Sequence, residues 1–104
     1  MRWLLGLWLA GLLAPALADP ERIVSINLCA DALALSLVPA RVVAVSELAR
    51  DERLSPVVEQ ARRVMVTDGN AEAVLRLDPD LVMAGRFTTR ATVALLKKLD
   101  VAVL

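Results

Sequence analysis

The chain has 104 residues, 58% of them apolar, with 12 Lys and Arg against 12 Asp and Glu and no histidine or tyrosine. A neutral balance without a basic stripe leaves no electrostatic footprint for nucleic acid. Lacking histidine and holding one cysteine, Cys29, the sequence offers no Ser-His-Asp set, no usual transition-metal site and no internal disulfide.

Residues 1–18, MRWLLGLWLAGLLAPALA, predict a secretory signal peptide. Arg2 gives a basic start, Trp3 to Leu13 an apolar run, and Ala16-Leu17-Ala18 the small residues that a signal peptidase reads. The run is shorter than the roughly 20 residues of a membrane-crossing helix, which weighs against an uncleaved anchor. Cleavage after Ala18 starts a mature chain at Asp19, periplasmic and not membrane-spanning, with no cysteine there to take a lipid. Removing 18 of 104 residues leaves 86, with 11 basic and 12 acidic side chains and Phe87 as the remaining aromatic. A chain that short buries only about 60–65% of its unfolded surface and is marginal alone.

From residue 19 onward, short aliphatic segments alternate with helical patterns. Ile23–Ile26 is the first expected strand, apolar throughout as strands covered on both faces are. Leu28–Leu37 is apolar nearly all round and predicts a buried helix. Cys29, within Leu28-Cys29-Ala30, reads as a small buried hydrophobe, since a nucleophile would want a base nearby. Val42–Val45 is the second strand, followed by the polar, linker-like stretch Glu47–Leu54. Ser55-Pro56 predicts a helix start, with Val57, Val58, Ala61, Val64 and Met65 on one face. The end of that helix overlaps a third strand at Val64–Val66, so the boundary is open there. Asn70 caps a short helix through Leu77, and Asp78-Pro79-Asp80 stops it before the fourth strand, Leu81–Ala84. Thr88 or Thr89 caps the last helix. Its Thr92, Leu95, Leu96 and Leu99 share a face, and Lys97 and Lys98 suit its final turn. Val101–Leu104 is the fifth strand.

This β-α alternation predicts an α/β fold: a three-layer, Rossmann-like lobe with a parallel five-stranded sheet and helices on both faces. The sequence stops on that last strand, which would leave an apolar edge bare. The lobe at residues 19–104 is expected either to be a small complete domain or to be the first part of a longer, two-lobe protein.

Ligands of open parallel sheets bind outside the carboxyl ends of the strands. Here those ends carry Asn27, then Ser46 and Glu47, then Thr67 and Asp68, then Gly85, Arg86 and Phe87. A guanidinium holds a carboxylate or phosphate bidentately, and a lone aromatic stacks on a flat ligand. The other reading makes Arg86 a solvated charge and folds Phe87 back into the core. Neither G-x-G-x-x-G nor G-x-x-x-x-G-K-[ST] occurs, so nucleotide binding has no support. No catalytic residues, metal ligands or cofactor are expected, and the chain does not read as an enzyme.

Three stretches carry a family likeness: Arg22–Asp31 (RIVSINLCAD), Arg41–Ser46 (RVVAVS) and Asn70–Gly85 (NAEAVLRLDPDLVMAG). They resemble the N-terminal lobe of the periplasmic substrate-binding proteins of ABC importers for cobalamin, haem and ferric siderophores. The segment from Glu72 to Leu77-Asp78-Pro79-Asp80-Leu81-Val82 is the most specific. The resemblance implies two α/β lobes joined by a long helix, with a metal chelate held between them and handed to an inner-membrane permease. It implies a docking glutamate at Glu72, whose alternative role is an ordinary i,i+4 pair with Arg76. Cobalamin and haem binders of this family line the cleft with Trp and Tyr, and this lobe offers only Phe87. A ferric siderophore is therefore the first expectation and a corrinoid or haem the second. The competing reading is a small exported α/β module that binds a protein partner through its open sheet edge.

Overall fold

A computed structural model describes residues 19–86 and 90–104. The signal-peptide segment, Phe87 and the Thr88 or Thr89 cap lie outside the described residues. The strands are β1 (Ile23–Ser25), β2 (Val42–Ser46), β3 (Met65–Thr67) and β4 (Leu81–Met83). The helices are α1 (Leu28–Leu37), α2 (Val58–Ala61), α3 (Ala71–Arg76) and α4 (Arg90–Lys98). The sheet runs β3-β2-β1-β4, and every pairing is parallel.

Parallel strands need crossover connections, and the intervening helices supply them, so both faces of the sheet are covered. On one face Val24, Ile26, Ala44 and Val82 meet Ala71 and Val74 of α3 and Leu96 of α4. On the other, Val42 and Val45 meet Ala34 and Leu35 of α1, Ala61 of α2, and Ala49. The pairing slips by one residue between Ile23↔Val42 and Val24↔Ala44. Val43 is the extra residue of this bulge, and it joins Ala44 on the α3/α4 face.

Several expectations are corrected. Among the described residues the sheet has four strands, not five: Val101–Leu104 contributes a single parallel bridge, Val82 to Val103. The cause is the end of α4, where Asp100 turns left-handed at φ 61°. Val101 N–H still donates to Leu96 O at 3.0 Å, so only Ala102 to Leu104 run beside β4. Helix α1 is not buried all round. Only its side bearing Ala30, Asp31, Ala34 and Leu35 meets the sheet, while Leu33 and Leu37 are 53% and 69% exposed. Cys29 lies on that outer side and is exposed, not a buried hydrophobe.

The helix after Ser55-Pro56 begins later, at Val58, because Ser55 Oγ accepts Val57 N–H at 3.1 Å in a tight turn. It ends early too, as Arg50 donates to Ala61 O at 3.2 Å and to Val64 O at 2.6 Å. That releases Met65 into β3. Glu47–Leu54 is more than a polar connector, since Glu47–Arg50 forms a 3-10 turn whose Ala49 is fully buried. In α4, Thr92 and Leu96 are buried, whereas Leu95 and, just past the helix end, Leu99 are exposed.

The specific segment ahead of β4 serves the fold. Asp80 accepts the backbone N–H groups of Glu21 and Arg22, both at 2.9 Å, and so fixes the start of β1. Arg22 in turn donates to Leu77 O at 2.5 Å and Asp78 O at 3.0 Å, satisfying carbonyls at the end of α3. The two N–H donors hold the exposed Asp80 carboxyl below its usual range, that of Glu21 contributing most.

Candidate functional site

The carboxyl ends of β1, β2, β3 and β4 bring the sequence-predicted residues to one end of the sheet, but not to a single cavity. Asn27 follows β1 as the cap of α1, where its side chain accepts Cys29 N–H at 3.0 Å and Ala30 N–H at 3.2 Å. That capping leaves its amide nitrogen as the remaining donor. Asn27 and Gly85 line one depression of about 320 Å3, walled by Leu33, Met83 and Leu104. Gly85 and Arg86 border a second, of about 260 Å3, with Arg90, Val93 and Lys97 along α4. The first is largely apolar and the second cationic. Side by side, they could hold a ligand with an apolar body and anionic groups.

Glu47 is set apart from them. It borders a third depression, about 320 Å3, with Thr67, Asp68 and Arg76 on the β3 side. The turn there is locally built. Thr67 Oγ1 accepts Gly69 N–H at 3.1 Å, Asp68 accepts Asn70 N–H at 3.0 Å, and Gly69 takes φ +82°. A side chain at Gly69 would be strained by that backbone whatever the space around it. Asn70 Oδ1 then accepts Ala73 N–H at 2.8 Å and caps α3 as its sequence position predicts.

Glu72 stands in the first turn of α3 and lines none of the three depressions, and Arg76 Nη2 donates to its Oε1 at 2.8 Å. Both side chains are more than 70% exposed, so this i,i+4 pair is energetically minor. The structure places Glu72 on the surface and pairs it with Arg76; both expected roles are compatible with that position.

Ser46 lines none of these depressions. Its N–H donates to Asp31 Oδ1 at 3.2 Å and its hydroxyl donates to Asp31 Oδ2. Asp31 is fully buried, and burial pushes its carboxyl above its ordinary value despite the hydrogen bonds from Ser46. Sequence reasoning passed over Asp31. The available signal was one carboxylate in the apolar run LCADALALSL, on the same helix stripe as Ala34 and Leu35. A charge there must find partners.

Among the described residues, no three His, Cys, Asp or Glu side chains gather where they could hold a metal ion. No described helix is long and apolar enough to cross a membrane.

No family model and no curated protein matches this sequence. Solved structures do. The periplasmic heme-binding protein RhuT from Roseiflexus sp. RS-1, in apo form, is 24% identical with a TM-score of 0.67, over 82% of this chain and 33% of that one. The periplasmic vitamin B12 binding protein BtuF of Vibrio cholerae is 26% identical with a TM-score of 0.64, over 82% and 33%. The FhuD protein from S. pseudintermedius is 28% identical with a TM-score of 0.63, over 83% and 29%. The chain thus spans about a third of the length of the proteins it matches. Its fold resembles part of periplasmic binding proteins, among them one named for heme and one for vitamin B12.

Proposed function

We propose that this chain forms the N-terminal lobe of a periplasmic substrate-binding protein that captures a metal chelate and delivers it to an ABC permease. The observation that carries the reading is the match of more than four-fifths of the chain to a periplasmic vitamin B12 binding protein 26% identical to it. The strand-end surface bearing Asn27, Gly85 and Arg86, with Phe87 following, is the ligand-facing wall. Ser46 and Glu47 extend that wall past β2. A ferric siderophore is the first choice of ligand, because the basic groups of the Arg86 depression suit an anionic chelate. A corrinoid or haem is the second, taken up by the apolar depression beside Leu33. Export depends on residues 1–18, and N-terminal sequencing of exported protein should begin at Asp19. The role is binding and delivery, without catalysis.

The test is titration of the chain with a ferric siderophore, cyanocobalamin and hemin, followed by amide chemical shifts. Pockets bury about 70–90% of what they hold, and one wall cannot. Weak, saturable shifts at Asn27, Gly85 and Arg86 are expected. Sub-micromolar binding by the monomer would overturn the shared-cleft argument, and no shift from any of the three ligands would count against the binding role.

A further inference from the structure

Among the buried polar groups described, Asp31 is the carboxyl, and its bonds reach residues at the ends of two strands. Its backbone N–H donates to Asn27 O at 2.8 Å, and Ser25 Oγ donates to the same carbonyl at 3.3 Å. Its side chain accepts both the N–H and the hydroxyl of Ser46, 15 residues further along the chain. Ser25 and Asp31 are fully buried, so they lie beneath the surface, while Asn27 and Ser46 are half-buried above them.

We propose that Asp31 is a positioning residue for the ligand-facing wall: its carboxyl sets where Ser46 and Glu47 stand relative to Asn27. This rests on the binding role proposed above. At Ser46 itself the Asp31 carboxyl adds to the pairing with β3, while the far end of the following turn is held separately by Ala49 and Arg50. Beyond the Ser46↔Thr67 pairing with β3, the strand gives way to the Glu47–Arg50 turn. The carboxyl takes two bonds from one residue at that point of departure, on the side facing α1. Asn27 is fixed from the same helix by its cap bonds. One helix turn therefore carries both reference points, and Asp31 couples them.

Two readouts test this on the chain as it exists, with Asp31→Asn and Ser46→Ala. The first is amide hydrogen exchange without ligand. Exchange at Ser46–Arg50 should quicken by roughly tenfold or more, the loss expected for a bond to a charged group, while α3 and β4 keep their protection. Uniform acceleration across the sheet would show a role in stability alone, and unchanged exchange would show no role. Either result overturns the proposal. If Asp31→Asn does not fold, Ser46→Ala decides, because it removes only the hydroxyl bond.

The second readout is the shift induced by cyanocobalamin or hemin at Asn27 and Glu47, which should fall in both variants. Shifts retained at wild-type size would overturn the positioning role. No shift in the unaltered chain would count against the binding role instead, and exchange would then decide for Asp31.

Discussion

Ser46 gives both of its donors, the backbone N–H at 3.2 Å and the side-chain hydroxyl, to the two oxygens of the buried Asp31 carboxyl. The bond pair ties the end of β2 to the first turn of α1, elements that otherwise meet only through aliphatic packing. A carboxyl so placed is shielded from water, and that shielding dominates its titration.

Asp31 should therefore leave a signature in the pH dependence of stability. Its folded-state pKa is raised, first by burial, so the folded protein holds the proton more tightly than the unfolded chain. The stabilisation tied to that proton is fully present below the ordinary carboxylate pKa. It is lost as pH rises through the raised folded value. Asp31→Asn carries no titrating group there, so its melting temperature should fall less than that of the unaltered protein across the window. Melting curves followed by circular dichroism at closely spaced pH values measure this. An unchanged slope would assign the effect to another carboxyl.

Asp80 predicts the opposite slope. Its carboxyl is held low by the N–H groups of Glu21 and Arg22, so its contribution is present above the ordinary carboxylate pKa and lost as pH falls through the folded value. Asp80→Asn should flatten the acid side of the same melting profile. It should also loosen the start of β1, seen as faster exchange at Glu21 and Arg22. A variant with an unaltered acid limb would show that the two bonds do not distinguish folded from unfolded chain.

Much of this was legible in residue types whose chemistry is local. Asn70 caps α3 where its position before Ala71-Glu72 says it should, and the four aliphatic segments at Ile23, Val42, Met65 and Leu81 pair in parallel. The misses are non-local. Cys29, Leu33 and Leu37 belong to a run whose apolar character says nothing about which side meets a sheet, and they face outward. Val101–Leu104 has strand composition, but the helix before it holds on to Val101. Asp31 needed its partner, and Ser46 comes from a different strand. Of the candidate site, the strand-end rule picked out Asn27, Glu47, Gly85 and Arg86, and it is the structure that sets Asn27, Gly85 and Arg86 at neighbouring depressions and Glu47 at another. It could not say that Ser46 turns toward Asp31.

Core truncations should separate the two sides of α4. Leu96 is fully buried against Val24, Val74 and Val82, so Leu96→Ala should destabilise by about 2–5 kcal/mol through lost burial and a residual cavity. Leu95, one residue earlier, is 44% exposed, and Leu95→Ala should change stability by no more than about 0.5 kcal/mol. Urea unfolding of the two variants gives the comparison. Equal losses would mean that the outer side of α4 is covered in solution.

Glu72 offers the sharpest division between a structural and a partner-facing role. Its carboxylate is exposed on α3 and meets only Arg76 among the contacts described. If that pair is its whole purpose, Glu72→Ala should cost about 0.3–0.5 kcal/mol of stability and nothing more. If it docks on an arginine of a permease, the contact would lie at the rim of an interface. A rim charge mainly sets orientation and association rate, and its effect fades as salt screens it. Glu72→Arg, carried in a two-lobe protein that includes this lobe, should leave the affinity for the chelate in solution unchanged. No residue of α3 lines the depressions beside Asn27 and Arg86, so these are untouched. Uptake by cells that depend on the protein should nevertheless drop, and binding to permease in membranes should weaken most at low salt. Full uptake together with a lowered melting temperature would assign Glu72 to its helix and remove it from the docking surface.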